Sequence, residues 1–217
     1  MRTVTTGTSL GIRLGLSPDQ AARLAALKTA ERIQEFVNRL RWNYEIAGPT
    51  ADAVVTTLNR GSAHCIEGAL VAACAFWLGG RPPLLLDLGA ARGDVDHVIA
   101  VFRRQGLWGA VSKSNSPFLR YRDPVYRSLR ELALSFFPQY VKGRKKTLRS
   151  YSVPLDLRHH DPALWVTRPG FCHEIVDALT GSRHYAIVSG GAAGRLRPID
   201  TIEQRANRLR EYPKPPR

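Results

Sequence analysis

A chain of 217 residues with 44% hydrophobic and 23% charged residues is long enough to bury a core without staples and ordinary enough in make-up to exclude a disordered or fibrous class. Lys and Arg number 32 against 18 Asp and Glu, and the resulting net charge of +14 attracts polyanions and acidic partners. No stretch reaches the roughly 20 apolar residues that span a bilayer, and the run over 66–78 contains Glu67, so no membrane partner is expected.

The start, Met1-Arg2-Thr3-Val4-Thr5-Thr6, lacks an apolar core, so no signal peptide is expected. Residues 1–16 show no clear period and read as an irregular or strand-like lead-in. Ser17-Pro18-Asp19-Gln20 is a helix start, with Ser17 as cap, Pro18 in the first turn and Gln20 at capping-box spacing. Ala21, Leu24, Leu27, Ala30, Ile33, Phe36, Val37 and Leu40 follow at helical spacing, as one long helix or two joined near Lys28. A short helix is expected over 51–58, then a helix over 63–78, stopped by Gly79-Gly80. Residues 84–88 read as a buried strand, 90–94 as a loop, 97–102 as a β-branched strand, and 107–113 as its hairpin partner across Gln105-Gly106. These three strands predict an antiparallel sheet packed on the 63–78 helix. Asp123-Pro124 is expected to open a helix that turns Leu129, Leu132, Leu134 and Phe136 to a core, and the basic run 142–149 to form a linker. A helix over 171–179, a strand over 184–189, a Gly-rich turn over 190–194 and a helix near 199–209 complete the chain, with Pro213, Pro215 and Pro216 in a disordered tail.

The chemistry concentrates in Gly61-Ser62-Ala63-His64-Cys65-Ile66-Glu67-Gly68-Ala69. With Ser62 as N-cap, Cys65 falls in the first helical turn, where free N–H groups and the positive end of the helix dipole favour thiolate over thiol. His97 opens a strand after Asp94-Val95-Asp96, at a sheet edge where it can take the thiol proton and return it to a leaving amine. The other two cysteines, Cys74 and Cys172, read as small buried residues. Cys65 and Cys74 are nine residues apart on one helix, roughly 13 Å, too far for a disulfide. The odd, low cysteine count fits a reducing, cytoplasmic setting. His64 is expected to be exposed, and Glu67 to complement the helix dipole. His159-His160-Asp161 has no second pair at ligand spacing, so no metal is expected.

The segment Ala63-His64-Cys65-Ile66-Glu67-Gly68-Ala69 resembles the cysteine-helix motif of the transglutaminase-like superfamily, a branch of the papain-like cysteine fold, with Ala63 in place of the usual Gly. Gly79-Gly80-Arg81-Pro82-Pro83, then Asp94-Val95-Asp96-His97, then Gly106-Leu107-Trp108 follow in the family's order. Four residues after Trp108 the family has an Asp that orients the histidine; here it is Ser112. Ser112 and Ser114 share one strand face and Asn115 the other, and a Ser or Asn accepts a histidine N–H without supplying charge. Asp87 and Asp96 are candidate substitute carboxylates, and Trp108 is a candidate channel wall or core residue.

The resemblance implies an α+β fold: a cysteine-bearing helix on a small antiparallel sheet, with extra N-terminal helices. It covers about residues 55–140, which divides the chain into 1–141, a transglutaminase-like domain with N-terminal helices, and 142–217, a basic linker and C-terminal α/β extension packed on the core. It implies Cys65 as nucleophile, His97 as acid and base and Ser112 as orienting residue, acting on a peptide or protein carboxamide through an acyl-thioester without a cofactor. The alternative is a binding module with a blunted triad, whose basic surface holds a peptide, an acidic protein or a nucleic acid. Nucleic acid is the less expected of these, because the 142–149 run interleaves no aromatic.

Overall fold

The computed structural model describes residues 6–214, so the expectations for residues 1–5 and for Pro215 and Pro216 lie outside the described residues. The expected lead-in is instead helix α1 (Thr6–Arg13). Its glycines are poor helix formers in isolation. Here they permit contact that side chains would block: a Cβ on Gly11 would lie 2.7 Å from that of Ala21. The next helical stretch divides into α2 (Pro18–Ala25) and α3 (Ala30–Arg39). Ser17 and Gln20 close the capping box of α2, and Thr29 caps α3, which is why the helix breaks beside Lys28.

Strand β1 (Arg41–Trp42) pairs parallel with β2 (Ser62–Ala63), on either side of α4 (Val54–Arg60). This pairing carries the loop after Trp42 to the start of α5 (Cys65–Leu78). Nearly every residue of α5 is buried, because α1 to α4 cover one side and the sheet the other.

The main sheet is antiparallel and contains β3 (Leu84–Ala90), β4 (His97–Arg104), β5 (Leu107–Val111) and β6 (Arg122–Tyr126) in sequence order. The fold is thus α+β. Strand β6 stands where a helix from Asp123-Pro124 was expected; α6 (Leu129–Leu134) starts later, capped by Ser128. Leu132 and Phe136 are buried, but Leu134 is exposed, since a helix beginning at Leu129 turns it to solvent. The basic linker is also corrected: β7 (Val141–Lys142) and β8 (Lys145–Lys146) form a hairpin, which keeps the charged side chains outward on paired backbone.

On the free edge of β3, β9 (Leu148–Ser152) pairs with residues 88–90 and β10 (Leu155–Asp156) with Leu85 and Leu84. After α7 (His173–Thr180), β11 (His184–Ala186) closes the edge on β9. The expected Gly-rich turn holds a short helix α8 (Gly190–Ala193), capped by Ser189, and α9 (Thr201–Ala206) follows.

Both faces of the sheet are covered. Leu85, Val98, Ala100, Phe102 and Val111 face α5, α7 and the N-terminal helices. Leu86, Leu88, Ile99, Val101 and Ala110 face Leu132, Phe136 and Tyr140. A strand buried on both faces reads as an unbroken apolar run, as 84–88 does apart from Asp87. Among the described residues, no helix is long and apolar enough to cross a membrane.

Candidate active site

Cys65 is the first residue of α5, and the N-cap is His64 rather than Ser62, which is taken into β2. Glu67 accepts from the His64 backbone N–H at 2.9 Å, closing one half of a capping box. Its role is larger than a dipole partner: the side chain is wholly buried, paired with Arg60 at 2.7 Å and bonded by the Asn43 amide and the Asp52 N–H. Arg60 in turn pairs with Asp52. An ion-pair network below the first turn therefore fixes where Cys65 points.

The expectation that His64 is exposed is overturned: it is 8% exposed. Its Nε2–H donates to the Thr50 carbonyl at 2.8 Å, leaving Nδ1 at 3.6 Å from the Cys65 sulfur. His97 also reaches the thiol. Its Nε2 lies 2.8 Å from the Ser112 hydroxyl, which donates its own hydrogen to the Leu119 carbonyl at 2.8 Å. A hydroxyl has one hydrogen, so Ser112 accepts from His97, Nε2 carries the proton, and Nδ1 is the free nitrogen. Burial pushes the Cys65 thiol up, but hydrogen bonding and charge from His64 and His97 outweigh it and hold the group down at about 5. The structure thus brings Cys65, His97 and Ser112 together.

Cys65, His64 and His97 open onto a cleft of about 360 Å³. Trp42 and Glu45 line it, as do Asp94, Asp96 and Tyr140, together with Ser114, Asn115 and Arg210. The loop entering His97 is held by residues beyond 139. Tyr140 donates to the Val95 carbonyl at 2.5 Å, Thr147 to the Asp94 carboxylate at 2.5 Å, and Lys142 to the Gly93 carbonyl.

The remaining expected site residues do other work. Asp96 lines the cleft, but its carboxylate accepts from the Ala90 N–H at 2.7 Å. Asp87 is buried against His184 at 3.1 Å, and its Oδ1 has no partner among the described residues. Burial pushes the Asp87 carboxyl up to about 6, even against the His184 hydrogen bond. Neither carboxylate backs His97; the strand register explains Asp87, which lies beside Val98, on the face opposite His97. Trp108 sits near the far end of β5, under the Arg103 guanidinium at 5.1 Å, away from the cleft. Ser114 accepts from the Ser116 N–H at 3.0 Å. Asn115 clamps the Tyr212 backbone, accepting from its N–H at 2.8 Å and donating to its carbonyl at 3.0 Å. Cys74 and Cys172 are buried, and burial raises both thiols to about 12.

Two positioning residues were missed. Gln34 holds the Ser112 backbone at both ends, accepting from its N–H and donating to its carbonyl, each at 2.9 Å. The signal was present: Gln34 falls on the buried stripe of α3 with Ala30, Ile33 and Val37. Lys113 is buried and donates to the carbonyls of Leu40 and Asn38 at the end of α3. Its path passes Gly68, where a Cβ would lie 2.4 Å from that of Lys113, so only glycine lets the strand end lie this close to α5.

No protein-family model matches the chain. The chain is 26% identical over 122 residues to "Initiator protein NS1" of Human bocavirus 3; the match covers 55% of this chain and 15% of the viral protein. The chain therefore spans only a small part of that relative's length.

Proposed function

We propose that the chain is a transglutaminase-like cysteine enzyme of papain-like fold that forms an acyl-thioester at Cys65 from a carboxamide or peptide bond. The observation that carries this reading is geometric: the Cys65 thiol stands at a helix start, within reach of the His64 and His97 imidazoles, at the mouth of a cleft, and this arrangement holds the thiol below its ordinary value. Thiolate at a helix start is the reactive form of cysteine. Its sulfur attacks the carbonyl carbon, and the charge that develops on oxygen meets backbone N–H groups of the first turn. The C–N bond breaks as His97, made an imidazolium at Nδ1 by the proton that left the thiol, gives that proton to the leaving amine. Water or an amine then adds to the thioester and loses a proton to the now neutral His97. The acyl product leaves and the thiolate is restored. Ser112 keeps His97 in one tautomer without adding charge.

The direct test offers the protein a blocked glutaminyl-glycine with hydroxylamine as acceptor and assays both hydroxamate and Cys65 acylation by mass spectrometry. Hydroxamate formation with acylation confined to Cys65, lost in Cys65→Ala and reduced about hundredfold or more in His97→Ala, is the expected result. Absence of acylation with this donor and with an activated ester such as p-nitrophenyl acetate would overturn it. The second reading, a binding module with a basic surface for a peptide, an acidic protein or a nucleic acid, draws on Ser112 in the acid's place and on the net charge of +14. Salt-sensitive binding of a polyanion, with no acylation, is the result that would favour it.

A further inference from the structure

We propose that ionisation and proton transfer are divided between two histidines: His64, backed by Glu45 and Glu67, holds Cys65 as a thiolate, while His97, backed by the Ser112 hydroxyl alone, moves the proton. The proposal deepens the acyl-transfer reading and rests on it for the role of His97.

The carboxylates nearest the two imidazoles back His64 and not His97. A cysteine–histidine–acid arrangement puts a negative charge behind the histidine to stabilise its imidazolium. Behind His97 there is only a hydroxyl, already donating elsewhere. Behind His64 there are two carboxylates, Glu45 at 3.5 Å and Glu67 at 3.9 Å from Nε2. The hydrogen bond from Nε2 to the Thr50 carbonyl fixes the ring with Nδ1 toward the sulfur, so the second proton of an imidazolium lies between nitrogen and sulfur.

The surroundings of His64 are electrostatically one-sided. From α5 it faces Glu67 and Cys65, and from the loop after β1 it faces Glu45. The cation of α4, Arg60, is spent on Glu67 and Asp52. The lining of the cleft adds His97, Asp94 and Asp96. Burial pushes the His64 ring down, but Cys65, Glu67 and Glu45 hold it up at about 9, consistent with a cation next to a thiolate at neutral pH. While the sulfur is a thiolate His64 holds its proton, and its charge compensates the sulfur whether or not His97 is protonated. The missing acid behind His97 then matters less for forming the nucleophile than for the speed of proton transfer.

The test separates thiolate formation from turnover. The rate of iodoacetamide alkylation at Cys65 is followed against pH by mass spectrometry in the intact chain, alongside acyl transfer to hydroxylamine. The native midpoint is expected near 5. His64→Asn, which keeps a residue suited to the N-cap, is expected to raise the midpoint by about one pH unit or more, a roughly fivefold or greater loss of alkylation rate at the native midpoint. Glu45→Gln keeps the oxygen that accepts from the Thr50 N–H at 2.8 Å and removes the charge, so a smaller upward shift is expected. It serves also if His64→Asn fails to fold. His97→Ala is expected to shift the midpoint less than His64→Asn while stopping turnover. A larger shift in His97→Ala than in His64→Asn, or no shift in either His64→Asn or Glu45→Gln, would overturn the division. A His64-dependent midpoint without any acylation would uphold the role given to His64 and overturn the enzyme reading, and with it the role of His97.

Discussion

Helix α5 carries two cysteines in opposite states. Cys65 at its first residue is held down at about 5, whereas Cys74, nine residues on, is raised to about 12. The backbone is helical at both, and burial opposes the thiolate at both. The difference lies in what meets the sulfur: imidazoles, first-turn N–H groups and a solvent cleft at one end, and apolar side chains from every direction in the middle. Burial alone silences a thiol, and it takes placed charges to make one reactive.

The largest effect expected from this contrast is chemical. Near pH 7 Cys65 is ionised and Cys74 and Cys172 are not, so iodoacetamide should label Cys65 on the order of a thousandfold faster or more in the native protein. Peptide mapping after a timed pulse checks this, and equal labelling of all three would remove the contrast.

Next comes the network under the first turn. Glu67→Gln leaves Arg60 short of a charged partner and should cost roughly 2–4 kcal/mol in urea unfolding, an effect without counterpart in the apolar middle of the helix. Burial pushes the Glu67 carboxyl up, but His64, Arg60, the His64 N–H and Asn43 together bring it below its ordinary 4.5. A lowered folded pKa means stability that is present above the ordinary value and lost as pH falls through the folded one. The native urea midpoint should therefore decline as pH falls below the ordinary 4.5, and decline less steeply in Glu67→Gln. Parallel pH profiles for the two proteins would count against the network.

The smallest effect expected is at Gly68, one turn from Cys65. Alanine gains about 1 kcal/mol of helix propensity but meets the Lys113 Cβ at 2.4 Å, so a net loss of roughly 1–2 kcal/mol is expected by thermal melting. The same push displaces Ser112 and should slow acyl transfer. A stabilised Gly68→Ala protein with unchanged activity would show that the strand end has room to move.

Much of the frame was legible in the sequence because it rests on local patterns. The capping box at Ser17 and Gln20, the Gly79-Gly80 stop and the hairpin at Gln105-Gly106 are short-range signals, and the elements they delimit stand where expected. Elements stabilised by distant partners were not legible. Helix α1 has glycines where propensity asks for alanine, and it exists because α2 and α5 receive them. The basic run after Val141 reads as a linker by charge, yet it folds as a hairpin beside the loop that positions His97. Within the site, Cys65 and His97 were legible from helix and strand signals, and Ser112 from the resemblance to the transglutaminase-like superfamily. His64 was misjudged, because next to a helix start a histidine reads as solvent-facing, and nothing in the neighbouring residues reveals that Thr50 and Glu45 fold over it.

By itself the sequence placed a cysteine at a helix start and a histidine at the opening of a strand, through period and turn signals of a few residues, and the resemblance to the transglutaminase-like superfamily added a serine one hairpin later. Tertiary structure alone decided which groups surround the sulfur. His184 takes Asp87, Ala90 takes Asp96, Tyr212 takes Asn115, and the carboxylates left near an imidazole lie behind His64. Electrostatic partnership depends on distances of a few ångströms between segments tens of residues apart, and chain order does not encode those distances.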